Sequence, residues 1–274
     1  MLTIVIVSYN SAAALQKCQH EFLSSGRFPV VIVDNASRDG SADLLAARYP
    51  QATLIRLPRN EGYGRAANRG LEAVQTPYAF LLNPDLEITA DTAAQMLRFA
   101  QEHDGEACLF APAVSPKSYL RQGALRREWV SGAAMLFRMA DFRELGFFDE
   151  AIFLYSEDSD LCRRIVDSGR HILLDSDLLI RHLQKQSSAP NPAIDALRNW
   201  HRGWSQMYVP HKHGDSSGWL APRWTWFRYW LKGKLSGSVK TRTQHAQRAE
   251  GMMAFLHGEQ AFLPDGRARG TDRL

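Results

Sequence analysis

The sequence predicts an α/β fold: a mostly parallel central sheet with helices on both faces, then a helical, basic, aromatic-rich appendage. Three observations carry this. Between Leu2 and Leu82, short β-branched or apolar runs alternate with longer segments of helical period. The first run is continuously β-branched after Leu2 and the second is apolar throughout, as in strands covered on both faces. Each run ends in a polar, turn-forming cluster, and parallel sheets bind ligands at the carboxyl ends of their strands.

The elements follow in order. Leu2–Val7 is the first strand, and a helix is expected from about Ala12 to Ser24. Pro29–Val33 is the second strand, with a helix from Ala42 to Tyr49. Thr53–Leu57 is the third, with a helix from Arg65 to Val74, and Tyr78–Leu82 is the fourth. Thr89–His103 reads as a helix with Ala93, Met96, Leu97 and Ala100 on one face. Ala107–Val114 reads as a strand, Ser115–Arg127 as a polar loop, and Trp129–Phe137 as a small-residue turn running into a strand. A short helix is expected over Asp141–Leu145. Separate strands are expected over His171–Leu174 and Leu178–Ile180.

At 274 residues the chain can bury a substantial core. Its net charge of +4 is unevenly spread. Residues 1–189 carry 20 Lys and Arg against 23 Asp and Glu, whereas residues 190–274 carry 13 against 6. The expected division is therefore a catalytic domain over residues 1–188 and a basic appendage over 189–274. Cys18, Cys108 and Cys162 are scattered, which fits a reducing cytoplasm and argues against a disulfide framework or zinc site. The apolar start has no basic n-region and reads as a strand rather than a signal peptide. No run is long enough to suggest a membrane span.

The polar clusters suit a phosphorylated, hydroxyl-rich ligand. Asp34 ends a strand, where a carboxylate accepts from a base N–H or a ribose hydroxyl, and Asn35 and Ser37 add polar contacts. Arg59 and Arg65 suit phosphates, beside Gly62 and Gly64, which admit a close backbone. Asp85 can hold a divalent cation. Asp34-Asn35 and Asn83-Pro84-Asp85 are also good turns, and only their joint placement at strand ends favours a site. Gly62-Tyr63-Gly64-Arg65-Ala66-Ala67 has the look of a dinucleotide fingerprint but follows the third strand rather than the first, so it is not read as one.

The acidic stretch Tyr155-Ser156-Glu157-Asp158-Ser159-Asp160-Leu161 opens an amphipathic helix behind Phe147, Phe148 and Phe153. Ser156 is the expected N-cap, and acids suit a first helical turn. Three carboxylates in four residues behind aromatic sequence also suit a general base at a pocket rim.

Taken in order, these motifs resemble inverting glycosyltransferases of family 2 with the GT-A fold, most nearly the bacterial rhamnosyltransferase-like subgroup. The resemblance rests on Val5-Ile6-Val7-Ser8-Tyr9-Asn10, Val33-Asp34-Asn35-Ala36-Ser37-Arg38-Asp39-Gly40-Ser41 and Asn60-Glu61-Gly62-Tyr63-Gly64-Arg65 through Gly70. It continues in Leu81-Leu82-Asn83-Pro84-Asp85, Gly132-Ala133-Ala134-Met135-Leu136 and Leu154 to Leu161, and covers about residues 2–188. It implies that Ser8, Tyr9, Asn10 and Asp34 hold the nucleotide base and ribose, and that Asn60 and Arg65 line the nucleotide-sugar pocket. It places Asn83-Pro84-Asp85 at the family's Asp-x-Asp metal motif, with Asn83 in place of the first Asp, so that Asp85 carries Mg²⁺ or Mn²⁺. His182 falls where relatives supply a second metal ligand. Asp158 matches the catalytic base with Glu157 beside it, and Trp129, Ser131 and Gly132 shape the acceptor side. The implied partners are a nucleoside-diphosphate sugar (dTDP- or UDP-linked, dTDP-L-rhamnose among the candidates) and a glycan or lipid-linked acceptor in bacterial surface polysaccharide synthesis.

Residues 219–235 interleave Trp219, Trp224, Trp226, Phe227, Tyr229 and Trp230 with Arg223, Arg228, Lys232 and Lys234. That composition suits an anionic membrane surface, on the inner face of the cytoplasmic membrane given a cytoplasmic chain. The competing reading is packing within a helical subdomain or on a second subunit, and the sequence assigns no oligomeric state. Nucleic acid is not expected as a partner. Two other functions compete with this one. A sugar nucleotidylyltransferase needs a Gly-rich phosphate loop after the first strand, where Ser8-Tyr9-Asn10-Ser11 stands instead. A non-catalytic nucleotide-sugar-binding scaffold stands as the alternative: Asn83 is compatible with it, and intact Asp85, Asp158 and His182 count against it.

Overall fold

The computed structural model describes residues 1–183, 191–215 and 220–271. The chain forms two compact units, one of Met1–Phe148 with Asp158–Ala189 and one of Asp149–Glu157 with Pro190–Leu274. Residues 184–188 and Trp219 lie outside the described residues, as does the expected boundary at 188/189.

The first unit contains β1 (Leu2–Ser8), α1 (Ala12–Ser24), β2 (Val30–Asp34), α2 (Ser41–Arg48), β3 (Thr53–Arg56), α3 (Tyr63–Glu72) and β4 (Tyr78–Leu82). It continues with β5 (Leu86–Glu87), α4 (Ala90–Glu102), β6 (Leu109–Ala113), β7 (Ala124–Arg127), β8 (Ala134–Arg138) and α5 (Met139–Leu145). It ends with α6 (Glu157–Asp167), whose first residue clusters with the other unit, then β9 (Ile172–Leu179) and β10 (Arg181–His182). The main sheet has the order β3-β2-β1-β4-β8-β6-β9-β7. Its β3-β2-β1-β4 half is parallel throughout. Antiparallel pairing enters where β8 lies between β4 and β6, and again at the β7 edge.

Alternation along the strands explains the two-sided core. Ile4, Ile6 and Ile32 pack with Leu15 and Phe22 of α1, Leu45 of α2, and Met96 and Phe99 of α4. Val5, Val7, Val31 and Val33 point the other way, onto Ala66, Ala67 and Leu71 of α3, Phe142 of α5, and Leu161 and Ile165 of α6. Every residue of β1, β2, β4 and β6 is buried, so these strands are largely apolar rather than alternating apolar with polar. Burying each large aliphatic side chain contributes roughly 1.5–3 kcal/mol.

Three expectations are corrected. Ala124–Arg127 is not loop but an edge strand, antiparallel to β9. Its burial is slight, so no apolar pattern marks it. The two strands expected after α6 are one, β9, running through Asp175 and Asp177. Its register with β6 shifts between Pro112 and Ala113, where proline offers no N–H to the ladder. Ser156 does not have the extended backbone of an ordinary N-cap: Tyr155 and Ser156 sit at φ of 67° and 65°.

The second unit contains α7 (Pro192–Lys212), α8 (Leu220–Leu235) and α9 (Val239–Leu256). Asn191 caps α7 through Ala193 and Ile194, with Pro192 in the first turn. Helices α7 and α9 touch backbone to backbone. A Cβ on Gly203 would lie 2.0 Å from the Arg248 carbonyl oxygen, and one on Gly251 1.9 Å from that of Trp200. Trp204 is buried there, stacks on Tyr208, and donates its indole N–H to the Glu259 carbonyl at 2.7 Å. Residues 149–157 pack on α7. Asp149 accepts from Tyr208 and Lys212, the Leu154 carbonyl accepts from Ser205, and Arg202 covers the Tyr155 ring. Among the described residues, no helix is long and apolar enough to cross a membrane.

Candidate active site

The polar clusters converge at the carboxyl ends of β1, β2 and β4. β1 ends in Ser8, whose hydroxyl lies 3.0 Å from that of Ser11, and Ser11 Oγ also accepts the Tyr9 N–H. Asn10 has φ of 52°, tolerable for asparagine, and clips the next loop from both ends. Its N–H donates to Ser37 Oγ at 2.9 Å, and its Oδ1 accepts the Arg38 N–H at 2.9 Å. At the end of β2, Asp34 is buried. One carboxylate oxygen accepts the Ser37 N–H at 3.0 Å, and the other has no hydrogen-bond partner. A buried acceptor of that kind calls for a donor, and a nucleotide base or ribose supplies one.

Asn35 is occupied within the protein. Its amide nitrogen donates to Asn60 Oδ1 and the Gly62 carbonyl, and its oxygen accepts the Glu61 N–H. Its side chain thus fixes the loop that presents Asn60, Arg65 and the start of α3. Asn60 Oδ1 also accepts the Gly62 N–H.

The second cluster lies beyond β4. The Asn83 N–H donates to the Ala133 carbonyl at 2.9 Å. The chain then makes the two-residue β5, antiparallel to β10, with His182 opposite Leu86. That short pairing, which no sequence pattern announces, sets His182 Nε2 3.1 Å from Asp85 Oδ1. Both side chains are largely buried. Neighbouring ligands on an octahedral ion with bonds of about 2.1 Å lie roughly 3 Å apart, so the pair fits two positions on Mg²⁺ or Mn²⁺. No cluster of three such ligands occurs among the described residues. An ion here would complete its shell with substrate phosphate and water, as Mg²⁺ commonly does.

Residues 131–133 join the parts. The Gly132 N–H donates to Asp158 Oδ2 at 3.1 Å, the Gly132 carbonyl accepts the Tyr63 hydroxyl at 2.9 Å, and the Ala133 carbonyl takes the Asn83 N–H. A Cβ at Gly132 would lie 3.2 Å from Asp158 Cβ, so glycine allows this approach. Asp158 Oδ1 accepts from the Ser159 N–H and hydroxyl. Ser131 Oγ accepts the Ala133 N–H, and Trp129 is 53% exposed, leaving its ring free to meet a ligand. The three acids differ in setting. Asp160 is fully buried and paired with Arg164 at 3.0 Å, and Glu157 is buried at the head of α6. Arg164 also donates to the carbonyls of Leu145, Gly146 and Phe147, tying α6 to the end of α5.

Sequence reading missed several of these residues. Gln19 donates to the carbonyls of Asn83 and Leu86 and so supports the turn carrying Asp85. Its signal was a polar residue on the apolar face of α1 between Leu15 and Phe22. Tyr63 and Arg164 carried no such mark. Cys108 and Cys162 are buried away from such chemistry, and burial pushes their thiols up to about 12.

A mixed sheet whose parallel half is followed by polar clusters, with helices packed on both faces, is the arrangement of the GT-A class of glycosyltransferase. Solved structures agree on the fold. One is the mannosyltransferase PcManGT of Pyrobaculum calidifontis in complex with GDP-Man and Mn²⁺, with TM-score 0.61 and 15% identity, covering 93% of this chain and 86% of that one. Another is S. aureus TarS 1-349 in complex with UDP-GlcNAc, with TM-score 0.55 and 15% identity, covering 94% and 92%. The model of glycosyl transferase family 2 matches residues 3–163, and the chain belongs to that family. One relative is the N-acetylglucosaminyl-diphospho-decaprenol L-rhamnosyltransferase of Mycobacterium tuberculosis, 25% identical over 86% of this chain and 91% of the relative.

Proposed function

We propose that this glycosyltransferase is inverting and moves a sugar from a dTDP- or UDP-sugar, with dTDP-L-rhamnose the leading donor, to a hydroxyl of a glycan or lipid-linked acceptor in cell-envelope polysaccharide synthesis. The observation that carries the reading is the hydrogen-bonded path from Asn83 through Ala133 and Gly132 to Asp158, which ties the diphosphate end of the site to a carboxylate. The similarity to a rhamnosyltransferase named for a lipid-linked acceptor supports the choice of donor and acceptor.

In this reading Asp34 accepts from the base or ribose, with Ser8, Tyr9, Asn10 and Ser37 around it. Asn60 and Arg65 line the sugar-nucleotide pocket. Asp85 and His182 would hold Mg²⁺ or Mn²⁺ beside Asn83, and the ion would supply charge neutralisation for the leaving diphosphate. Asp158, with Glu157 adjacent, takes the proton of the acceptor hydroxyl as that oxygen bonds to the anomeric carbon. The bond to the diphosphate breaks on the opposite face, inverting the centre. Trp129, Ser131 and Gly132 position the acceptor. The catalytic domain spans residues 1–188, and the appendage from residue 189 meets a membrane surface through residues 219–235 on the cytoplasmic side.

Thermal shift with dTDP, UDP and GDP and their sugars, with and without Mn²⁺, on wild type and Asp85→Ala tests the site, since a ligand bound only to the native state raises Tm. The expected result is a metal-dependent shift for one nucleotide that is lost in Asp85→Ala. If no nucleotide shifts Tm, the site as described is wrong. An NMR reading of the product anomer then decides inversion.

A further inference from the structure

We propose that α8 is an in-plane membrane anchor that lays one defined stripe, Trp224, Phe227, Leu231 and Leu235 with Trp230 at its edge, into the headgroup zone of an anionic bilayer. The proposal rests on the membrane reading of residues 219–235 but not on the transfer reaction.

Helix geometry sets the stripe. At about 3.6 residues per turn, residues 224, 227, 231 and 235 share one face, and 229 and 233 lie on the opposite face. The structure uses that opposite face for packing on α9. Gly233 is buried against the backbone of Ala246, and Tyr229 meets His245 and Arg248. The outward stripe is open: Trp224 is 62% exposed, Phe227 37%, Leu231 37% and Leu235 74%. Its rings form a continuous ladder, with Trp224 stacked on Phe227 at 5.7 Å and Phe227 on Trp230 at 5.8 Å. Large apolar side chains in a row on the face turned away from the core mark an interaction surface rather than scattered surface residues.

Charge selects the occupant. Between residues 223 and 235 there are four basic residues and no acidic one. On the helix, Arg228 and Lys232 flank the stripe on one side, and Arg223 and Lys234 flank it on the other. An apolar strip edged on both sides by bases, with Trp at the boundary, fits a surface that is apolar inside and anionic at its rim. A second copy of the chain would bring the same bases face to face with their counterparts. An apolar groove of about 710 Å³ beside the stripe, between α8 and α9 and lined by Trp226, Met253 and Leu256, extends the apolar surface.

The test is flotation of the full chain with vesicles of phosphatidylcholine alone, and with about one third phosphatidylglycerol, without nucleotide or acceptor. Three proteins are compared: wild type, the stripe variant Trp224→Ser/Phe227→Ser/Leu231→Ser, and the flank variant Arg228→Gln/Lys232→Gln/Lys234→Gln. All substituted positions are exposed, and circular dichroism confirms folding. Wild type is expected to partition onto the anionic vesicles at least about tenfold better than onto the neutral ones, and to lose that advantage at high salt. Each variant is expected to lose about tenfold or more. Equal partition of wild type and stripe variant would overturn the proposal, as would absence of wild-type binding. So would a wild-type dimer by sedimentation that the stripe variant abolishes. Because no turnover is measured, a failure here leaves the transferase reading standing, and an inactive protein that still floats leaves this one standing.

Discussion

The two units are stabilised by opposite devices. In the first, apolar side chains face inward on both sides of a sheet, and the polar clusters of the candidate site gather beyond its strand ends. In the second, α7 and α9 approach so closely that a glycine of each helix meets the backbone of the other, while Trp224 and Trp230 of α8 face outward. A sheet forces alternation, so its sequence advertises which residues are core. A helix pair joined at glycines has little side-chain pattern at the contact, and a helix whose outward face is apolar looks like core until its neighbours are known.

The largest expected effect separates chemistry from scaffolding within the first unit. Asp158→Asn is expected to lower turnover about a hundredfold to ten-thousandfold while leaving the nucleotide thermal shift in place. Loss of the shift as well would make Asp158 a structural residue, and the first unit would then lack an identified base.

Next come the packing devices, one per unit. Gly251→Ala drives a methyl into the Trp200 carbonyl and is expected to cost about 3 kcal/mol, read as a fall in the denaturant midpoint. Arg164→Met strands the buried Asp160, with an expected loss on the order of 3 kcal/mol. A normal midpoint for Gly251→Ala would show that α7 and α9 can separate freely, and the contrast between the units would weaken.

Acid should then distinguish them. His201 is fully buried in the second unit, donates from Nε2 to the Arg269 carbonyl, and has its pKa lowered to about 4 by burial. Well above pH 6.5 it is neutral in both states and contributes no pH dependence. As pH falls from 6.5 toward 4 the unfolded chain takes up a proton that the folded one refuses, so stability falls, by about 2 kcal/mol at pH 5. Asp149 acts lower. Burial opposes its ionisation, but Lys212, the Ala151 N–H and Tyr208 outweigh it and hold its pKa below the usual value. Its contribution is present above the ordinary carboxylate range and is lost as pH drops through the depressed value. Urea melts at pH 7 and pH 5 on wild type and His201→Gln check the first window, because the variant should lose most of the slope. The smallest effect is Tyr63→Phe, which removes the hydroxyl bond to Gly132. It is expected to cost about 1 kcal/mol and to raise KM for the acceptor more than it changes kcat.

Much of the candidate site was legible because its residues sit at strand ends, and strand ends are readable from apolar runs. Ser8, Asp34 and Asn83 are found that way. Asp158 stands out by its acidic company, and its place against Gly132 is a contact across 26 residues that no local pattern encodes. The antiparallel β8, inserted between β4 and β6, lay outside a reading based on alternating strands and helices, because pairing direction is not a property of a strand's own residues. Asn35 looked like a ligand residue, yet its hydrogen bonds are spent holding the Asn60 loop.

By itself the sequence determined the parallel half of the sheet, the position of every polar cluster along the chain and the basic character of residues 190–274. These follow from residue type and period, which act locally through burial and backbone preference. Tertiary structure alone decided that two residues of β5 pair with two of β10 to set His182 against Asp85, that Gly132 receives Asp158, and that Trp224 faces outward while Trp204 is buried. Such choices depend on which distant surface each side chain meets. Tryptophan and glycine have the same local chemistry in either place, and only packing of the whole chain selects between them.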